Sequence, residues 1–265
     1  MTPIIGFLGV GTVSTAVIHA LCSREGDSSR IVLSPRSTDR SQALAVQYPQ
    51  CARLGSNQEV IDAADIVVLA MRPQQLDAAV EGLSFRRDQV IASFIAGSPP
   101  SQIAELVSPA RRIAQLIPLP AIEHQAGPLL VCPGLPEVLD AFGGLGDLIV
   151  IEDESDIRVF SVASAFMSSY YEAQNTVIEW MRSRGIEESI AADYVRSELV
   201  GLATVGRATP VAGLEDLPAE HQTKGGLNER VRDHLLDAGA FGAFRAALDD
   251  VYDNAQLRVS ASTGD

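Results

Sequence analysis

Ile4-Ile5-Gly6-Phe7-Leu8-Gly9-Val10-Gly11-Thr12-Val13-Ser14-Thr15-Ala16 is an apolar run, two glycines one residue apart, and the start of a helical pattern. The apolar run predicts a strand. Gly9 permits a tight turn out of it, and Gly11 lets the backbone come close to a ligand. Ser14 is small where helix and strand must pack closely. The helix that follows offers the unbonded N–H groups of Thr12 and Val13 and a partial positive charge, a setting suited to phosphate. A Gly-x-Gly-x-x-small string alone carries little weight. Its place between a strand and a helix, opening a βαβ unit, gives it meaning.

Working outward, apolar strand candidates recur at Ile4 to Leu8, Ile31 to Leu33, Ile66 to Ala70, Val90 to Ile95, Arg112 to Ile117, Leu129 to Cys132 and Leu148 to Ile151. Several are continuous apolar runs, as a parallel sheet covered on both faces requires. Helical segments alternate with them. Ser56-Asn57-Gln58-Glu59 reads as a capping box. Pro73 opens one helix, and Pro99 and Pro100 precede another. The pattern predicts an α/β fold, an N-terminal Rossmann-type, mostly parallel sheet with right-handed crossovers over residues 1–153.

The pattern changes near Asp153. From Ser155 to Arg184 the spacing of Val159, Val162, Phe166, Met167 and Tyr170 predicts one helix with a buried face. Further helices are expected over Glu188 to Val205, Leu227 to Ala238 and Phe241 to Leu257, with a connection from Thr209 to Pro218 and a frayed tail from Ser260 to Asp265. Residues 154–265 therefore read as an all-α domain.

The net charge of −14 and the pI near 4.7 argue against nucleic acid or an anionic membrane surface as partner. An anionic ligand must then be held by local cations and backbone N–H groups. Lys224 is the single lysine; all other fixed cations are arginines. Cys22, Cys51 and Cys132 are odd in number and lack metal-ligand spacing, which suits a reducing cytoplasm. His19, His124, His221 and His234 show no ligand spacing either, and no metal is expected; His221, beside Gln222-Thr223, is the one histidine worth testing. No apolar run reaches the roughly 20 residues that span a bilayer.

The second strand ends in Ser34-Pro35-Arg36-Ser37. An NAD site carries an acidic residue there, about 20 residues after the glycines, to bind the ribose 2′-hydroxyl. Here Ser34, Arg36 and Ser37 stand in its place. Arginine and hydroxyls suit a 2′-phosphate that a carboxylate would repel, so the expected cofactor is NADP(H). Ligands sit outside the carboxyl ends of such strands. Ala70-Met71-Arg72-Pro73 and Ala96-Gly97 are therefore expected to complete the cofactor site.

These motifs resemble the pyrroline-5-carboxylate reductase family. Ile5 to Gly11 is similar to the family's opening. Ala64-Asp65-Ile66-Val67-Val68-Leu69-Ala70-Met71-Arg72-Pro73-Gln74 resembles its fourth strand and loop, with Arg72 where lysine is usual, and Ile95-Ala96-Gly97 matches the end of its fifth strand. Gln222-Thr223-Lys224-Gly225-Gly226-Leu227-Asn228 resembles its C-terminal hydroxyl-Pro-Gly-Gly-Thr-Thr signature. The chain also departs from the family. Gln115-Leu116-Ile117-Pro118-Leu119-Pro120 stands for Arg-x-Met-Pro-Asn-Thr-Pro, and Lys224, Leu227 and Asn228 replace proline and two threonines. Ser164 to Tyr171 lacks the Gly-Ser-Gly-Pro-Ala-Tyr run.

The resemblance implies hydride transfer from NADPH to the C=N carbon of a cyclic imino acid. It also implies a helical C-terminal domain that forms a homodimer and completes the site between subunits. Lys224, Gly225, Gly226 and Leu227 are then the candidate substrate site, because glycine N–H groups before a helix bind anions. Thr223 and Asn228 are the candidate catalytic residues, with Tyr170, Tyr171 or water as other proton donors. An imine reductase or a β-hydroxyacid dehydrogenase on another substrate is an alternative, although the latter family's lysine lies in the long helix after the sheet. A catalytically silent NADP(H)-binding protein is another.

Overall fold

The structure is a computed structural model that describes residues 3–260 apart from 25, 27 and 28, with side chains as far as 254. The chain divides into two compact units, Met1–Ser161 and Val162–Asp265. The sequence places a boundary at 153/154, after the last strand; the units part later, inside a short helix. The tail expected at 261–265 lies outside the described residues.

The first unit runs β1 (Ile4–Leu8), α1 (Thr12–Ser23), β2 (Arg30–Leu33), α2 (Thr38–Gln47), β3 (Cys51–Arg53), α3 (Asn57–Ala63), β4 (Ile66–Leu69), α4 (Leu76–Val80), β5 (Val90–Ser93), α5 (Pro100–Leu106), β6 (Arg112–Pro118), β7 (Pro128–Cys132), α6 (Pro136–Phe142) and β8 (Asp147–Val150). The strands form one sheet in the order β3-β2-β1-β4-β5-β6-β7-β8. All neighbouring pairs are parallel except β6 and β7, which run antiparallel. The strand order reverses at β1, so the crevice beyond its carboxyl end is the place where such sheets take ligands.

Alternate residues of each buried strand serve opposite faces. Ile5 and Phe7 join Val17 and Leu21 of α1 in one core, where Phe7, Phe94 and Phe142 meet edge to face at 6.3 and 6.2 Å. Leu8, Val67 and Leu69 join Val60 and Ile61 of α3 in the other. The expected capping box opens α3: Ser56 Oγ accepts the Glu59 N–H at 3.2 Å. The Glu59 carboxylate reaches the Gly55 N–H rather than that of Ser56. β3 was not expected, because Cys51-Ala52-Arg53 is too short and too mixed to read as an apolar run.

The second unit is helical. α7 (Ile157–Ala163) leads into it, followed by α8 (Phe166–Ser183), α9 (Glu188–Ala208), α10 (Leu217–Glu220), α11 (Leu227–Asp237) and α12 (Ala240–Ser260). The single helix expected from Ser155 to Arg184 is broken. A 3-10 turn precedes α7, and Ser164 and Ala165 separate α7 from α8 through a tighter bond from the Ala165 N–H to Val162 O. Its face is not buried either: Val162 is covered, but Val159, Phe166 and Met167 are exposed. Among the described residues of this unit, the buried hydrophobics are Val162, Ala191 and Val195 alone. A 3.6-residue period reports an apolar face; it does not say that the same chain covers it.

Candidate functional site

β1 ends at Leu8 and the backbone turns at Gly9 with φ +99°. This left-handed conformation suits glycine. A Cβ on Gly9 would also stand 2.5 Å from the Ala70 carbonyl oxygen, so the turn needs glycine for space as well. Gly11 caps α1 in an extended conformation, and a Cβ built there meets nothing within 4 Å. Open room beside Gly11, over a helix start whose first N–H groups lack intrahelical partners, fits a pyrophosphate.

Neighbouring strand ends brace this turn. The Ser34 N–H donates to Phe7 O at 3.0 Å, and the Ala70 N–H donates to Leu8 O at 2.9 Å. The Gly9 N–H donates to Ser34 Oγ at 3.0 Å. Ser34 is fully buried, so its hydroxyl holds the glycine turn and is not open to a ligand. This corrects its expected role as a direct 2′-phosphate contact.

A cleft of about 520 Å³ opens over the turn. Gly9, Val10 and Gly11 form its floor; Arg36 and Ser37 enter from the end of β2, and Ala70, Met71 and Arg72 from the end of β4. Seven of the expected cofactor residues therefore share one wall system: Gly9, Gly11, Arg36, Ser37, Ala70, Met71 and Arg72. Two arginines and no carboxylate line it. That donor set, with the empty room at Gly11, fits a phosphorylated dinucleotide. Asn57 and Gln75 also line the cleft and were not foreseen. The capping box could have pointed to Asn57, since it fixes the start of α3 at that spot.

Thr12, Val13, Pro73, Ala96 and Gly97 are not among the cleft walls. Thr12 and Val13 are exposed on the first turn of α1. Pro73 begins the 3-10 turn that leads into α4. Ala96 and Gly97 are exposed beyond β5, with Gly97 at φ +77°. Buried Gln115 steadies that loop, its Nε2 donating to Ile95 O at 2.9 Å.

In the second unit, residues 221–228 join α10 to α11. Thr223, Lys224 and Leu227 are exposed there. The glycine N–H groups are already bonded: Gly225 donates to the Glu229 carboxylate, and Gly226 donates to Thr223 O at 2.7 Å. They are therefore not the open anion donors the sequence suggested. The amide of Asn228 donates to His221 O at 2.6 Å, which fixes the loop rather than presenting a catalytic group. His221 itself hydrogen-bonds Leu217 O through Nδ1 at 2.9 Å. The first-turn N–H groups of Leu227 and Asn228 remain, since a helix start leaves them without intrahelical acceptors.

Among the described residues no three His, Cys, Asp or Glu side chains gather as metal ligands, and no helix is long and apolar enough to cross a membrane.

Residues 4–97, which contain the glycine turn and the whole cleft, match the family described as NADP oxidoreductase coenzyme F420-dependent. A pyrroline-5-carboxylate reductase of Corynebacterium melassecola is 23% identical over 265 residues, spanning 95% of this chain and 97% of that protein. The fold is that of 1-pyrroline-5-carboxylate reductase from Streptococcus pyogenes, at TM-score 0.83 and 22% identity over 97% of this chain and 99% of that one. The Plasmodium falciparum pyrroline carboxylate reductase, solved with NADP bound, is similar at TM-score 0.78 and 16% identity, over 98% and 97% of the two chains. The chain is thus similar to pyrroline-5-carboxylate reductases over nearly its whole length, in sequence at 23% identity and in fold at TM-score 0.83.

Proposed function

We propose that this chain is a cytoplasmic NADPH-dependent reductase of the C=N bond in a cyclic imino acid, of the pyrroline-5-carboxylate type. The observation that carries the reading is the cleft over the glycine turn, walled by Arg36 and Arg72 and by no carboxylate. NADPH, when bound, supplies the hydride. The protein's part is to hold and orient. The turn at Gly9 to Gly11 and the N–H groups of Thr12 and Val13 take the pyrophosphate. Arg36 and Ser37 take the 2′-phosphate. The small residues Ala96 and Gly97 leave room for a flat ring near the backbone.

Lys224 and the first-turn N–H groups of Leu227 and Asn228 are the substrate's carboxylate anchor in this reading. A helix start adds about 0.3–1 kcal/mol toward an anion, and an ammonium adds a full charge. A protonated imine is already electrophilic, and that one proton completes the amine once hydride reaches the carbon; in this reading the exposed Thr223 hydroxyl relays it from water to the imine nitrogen. The chain acts as a homodimer through its C-terminal helices. Trp180, Tyr194 and Val200 are 59–66% exposed in the single chain, an apolar surface that a partner subunit would cover. Sedimentation should accordingly give twice the chain mass or more.

The deciding experiment is NADPH oxidation against pyrroline-5-carboxylate, piperideine carboxylates and neutral cyclic imines. Turnover of the carboxylated imines supports the proposal, and turnover of neutral imines alone would redirect it to a general imine reductase. A second reading, a silent NADP(H)-binding protein, is favoured by the committed Gly225 N–H and Asn228 amide. Tight NADPH binding with no turnover of any imine would establish it instead. Arg36→Ala should weaken NADPH about tenfold or more relative to NADH, the loss of a charged hydrogen bond. Equal losses would remove the 2′-phosphate assignment.

A further inference from the structure

Arg36 lies on a short stretch, Pro35-Arg36-Ser37, between β2 and α2, with Pro35 half-buried and Arg36 and Ser37 exposed. Such a stretch has no ladder to hold it. Ser37 moreover adopts φ 60° and ψ 52°, a left-handed conformation that a residue with a Cβ keeps only when its surroundings impose it. A side chain from the neighbouring edge strand reaches this stretch. Arg53, the last residue of β3, donates from Nη2 to Pro35 O at 3.2 Å and from Nε to Ser41 Oγ at 3.2 Å. Ser41 is fully buried in α2, and its hydroxyl faces Ser37 O and Thr38 O, each at 3.3 Å. The Ser41 N–H also donates to Ser37 O at 3.0 Å. One guanidinium thus grips the carbonyl before Arg36 directly and the carbonyl after it through a buried hydroxyl.

We propose that Arg53 is a positioning residue for 2′-phosphate recognition, clamping Pro35 and Ser37 so that Arg36 is held ready at the cleft. The proposal rests on the NADP(H) reading of that cleft and names a second residue on which the preference depends. Two features of arginine matter. The planar fork reaches two acceptors in different directions at once, which a lysine ammonium on a flexible stem does not reproduce. The fork also carries a positive charge, adding to the field that the 2′-phosphate meets. The effect is confined to the part of the ligand that carries that phosphate, because the glycine turn is braced separately by Ser34 and Ala70.

The test is calorimetric binding of adenosine 2′,5′-bisphosphate and of 5′-AMP to the full chain, alongside kinetics with NADPH and NADH. Arg53→Ala should weaken the bisphosphate about tenfold, the scale of one lost charged hydrogen bond, and leave 5′-AMP within about twofold. In turnover it should raise KM for NADPH with kcat retained and NADH little affected. Arg53→Lys should fail to restore the bisphosphate, and Ser41→Ala, which removes one tether and leaves the charge, should give a smaller loss in the same direction. Equal weakening of both nucleotides would show that Arg53 merely supports the fold, and full rescue by lysine would show that charge alone suffices; each overturns the clamp. Arg36→Ala separates the two levels of argument. If that variant loses discrimination and Arg53→Ala does not, the clamp is wrong; if Arg36→Ala keeps discrimination, the NADP(H) reading itself fails.

Discussion

Ser34 Oγ accepts the Gly9 N–H at 3.0 Å across 25 residues of sequence, so the end of β2 fixes the turn at the end of β1. Ser34 is fully buried, and water cannot replace its hydroxyl without entering the core. Ser34→Ala leaves a donor without its acceptor, at a cost of about 1–3 kcal/mol. NADPH and NADH both need this turn. Their affinities should therefore fall together, in contrast to the NADPH-selective loss expected for Arg36→Ala. Parallel titrations of the two nucleotides, with thermal unfolding of the variant, check this.

Gly9→Ala is expected to be more damaging. The φ of +99° strains any L side chain there, by about 1–3 kcal/mol. The new methyl would also lie 2.5 Å from Ala70 O, and that oxygen belongs to the backbone leaving β4. Gly11→Ala meets neither obstacle, because its Cβ points into open space. The pair should separate in assay: Gly9→Ala lowers Tm and nucleotide binding together, while Gly11→Ala keeps the wild-type Tm and loses binding alone.

The order of the first unit could be read because buried parallel strands are written as apolar runs, as at Ile66 to Leu69 and Val90 to Ser93. β3 is written differently. Cys51-Ala52-Arg53 pairs with β2 at the sheet edge and carries the arginine that holds the Arg36 loop, yet nothing local marks it. The turn was legible where the backbone does the work, as at Gly9 with its φ of +99° and at Gly11, which caps α1. Side chains were misread where a partner lies far along the chain, as with Ser34, or where a loop closes on itself, as with Asn228. Phe166 and Met167 show the remaining limit, since an apolar period is the same whether its cover comes from this chain or another.

The Glu229 carboxylate accepts the Gly225 N–H and brings negative charge to the proposed substrate anchor. Glu229→Gln keeps an acceptor for that N–H and removes the charge. An anionic imine should then bind more tightly, its KM falling about twofold to fivefold, the equivalent of 0.3–1 kcal/mol at a helix start. A neutral imine should be unaffected. Lys224→Ala should move the anionic imine in the opposite direction. KM ratios for the two substrates across both variants decide whether this loop meets the substrate.

Arg112, at the start of β6, hydrogen-bonds and ion-pairs with Glu137 in the first turn of α6. The guanidinium holds the Glu137 carboxyl below its ordinary value, mainly through that side-chain hydrogen bond. A carboxyl with a lowered folded-state pKa contributes stability that is present above its unfolded pKa and disappears as pH falls through the folded one. Both side chains are 40–44% exposed, so solvent screening limits the pair to about 1 kcal/mol or less. Glu137→Gln should therefore cost no more than about 1 kcal/mol at pH 7 by urea unfolding. The difference from the parent should shrink as pH drops below about 4, where the free carboxyl protonates. A difference that stayed constant over this range would mean that the pair acts through packing rather than charge.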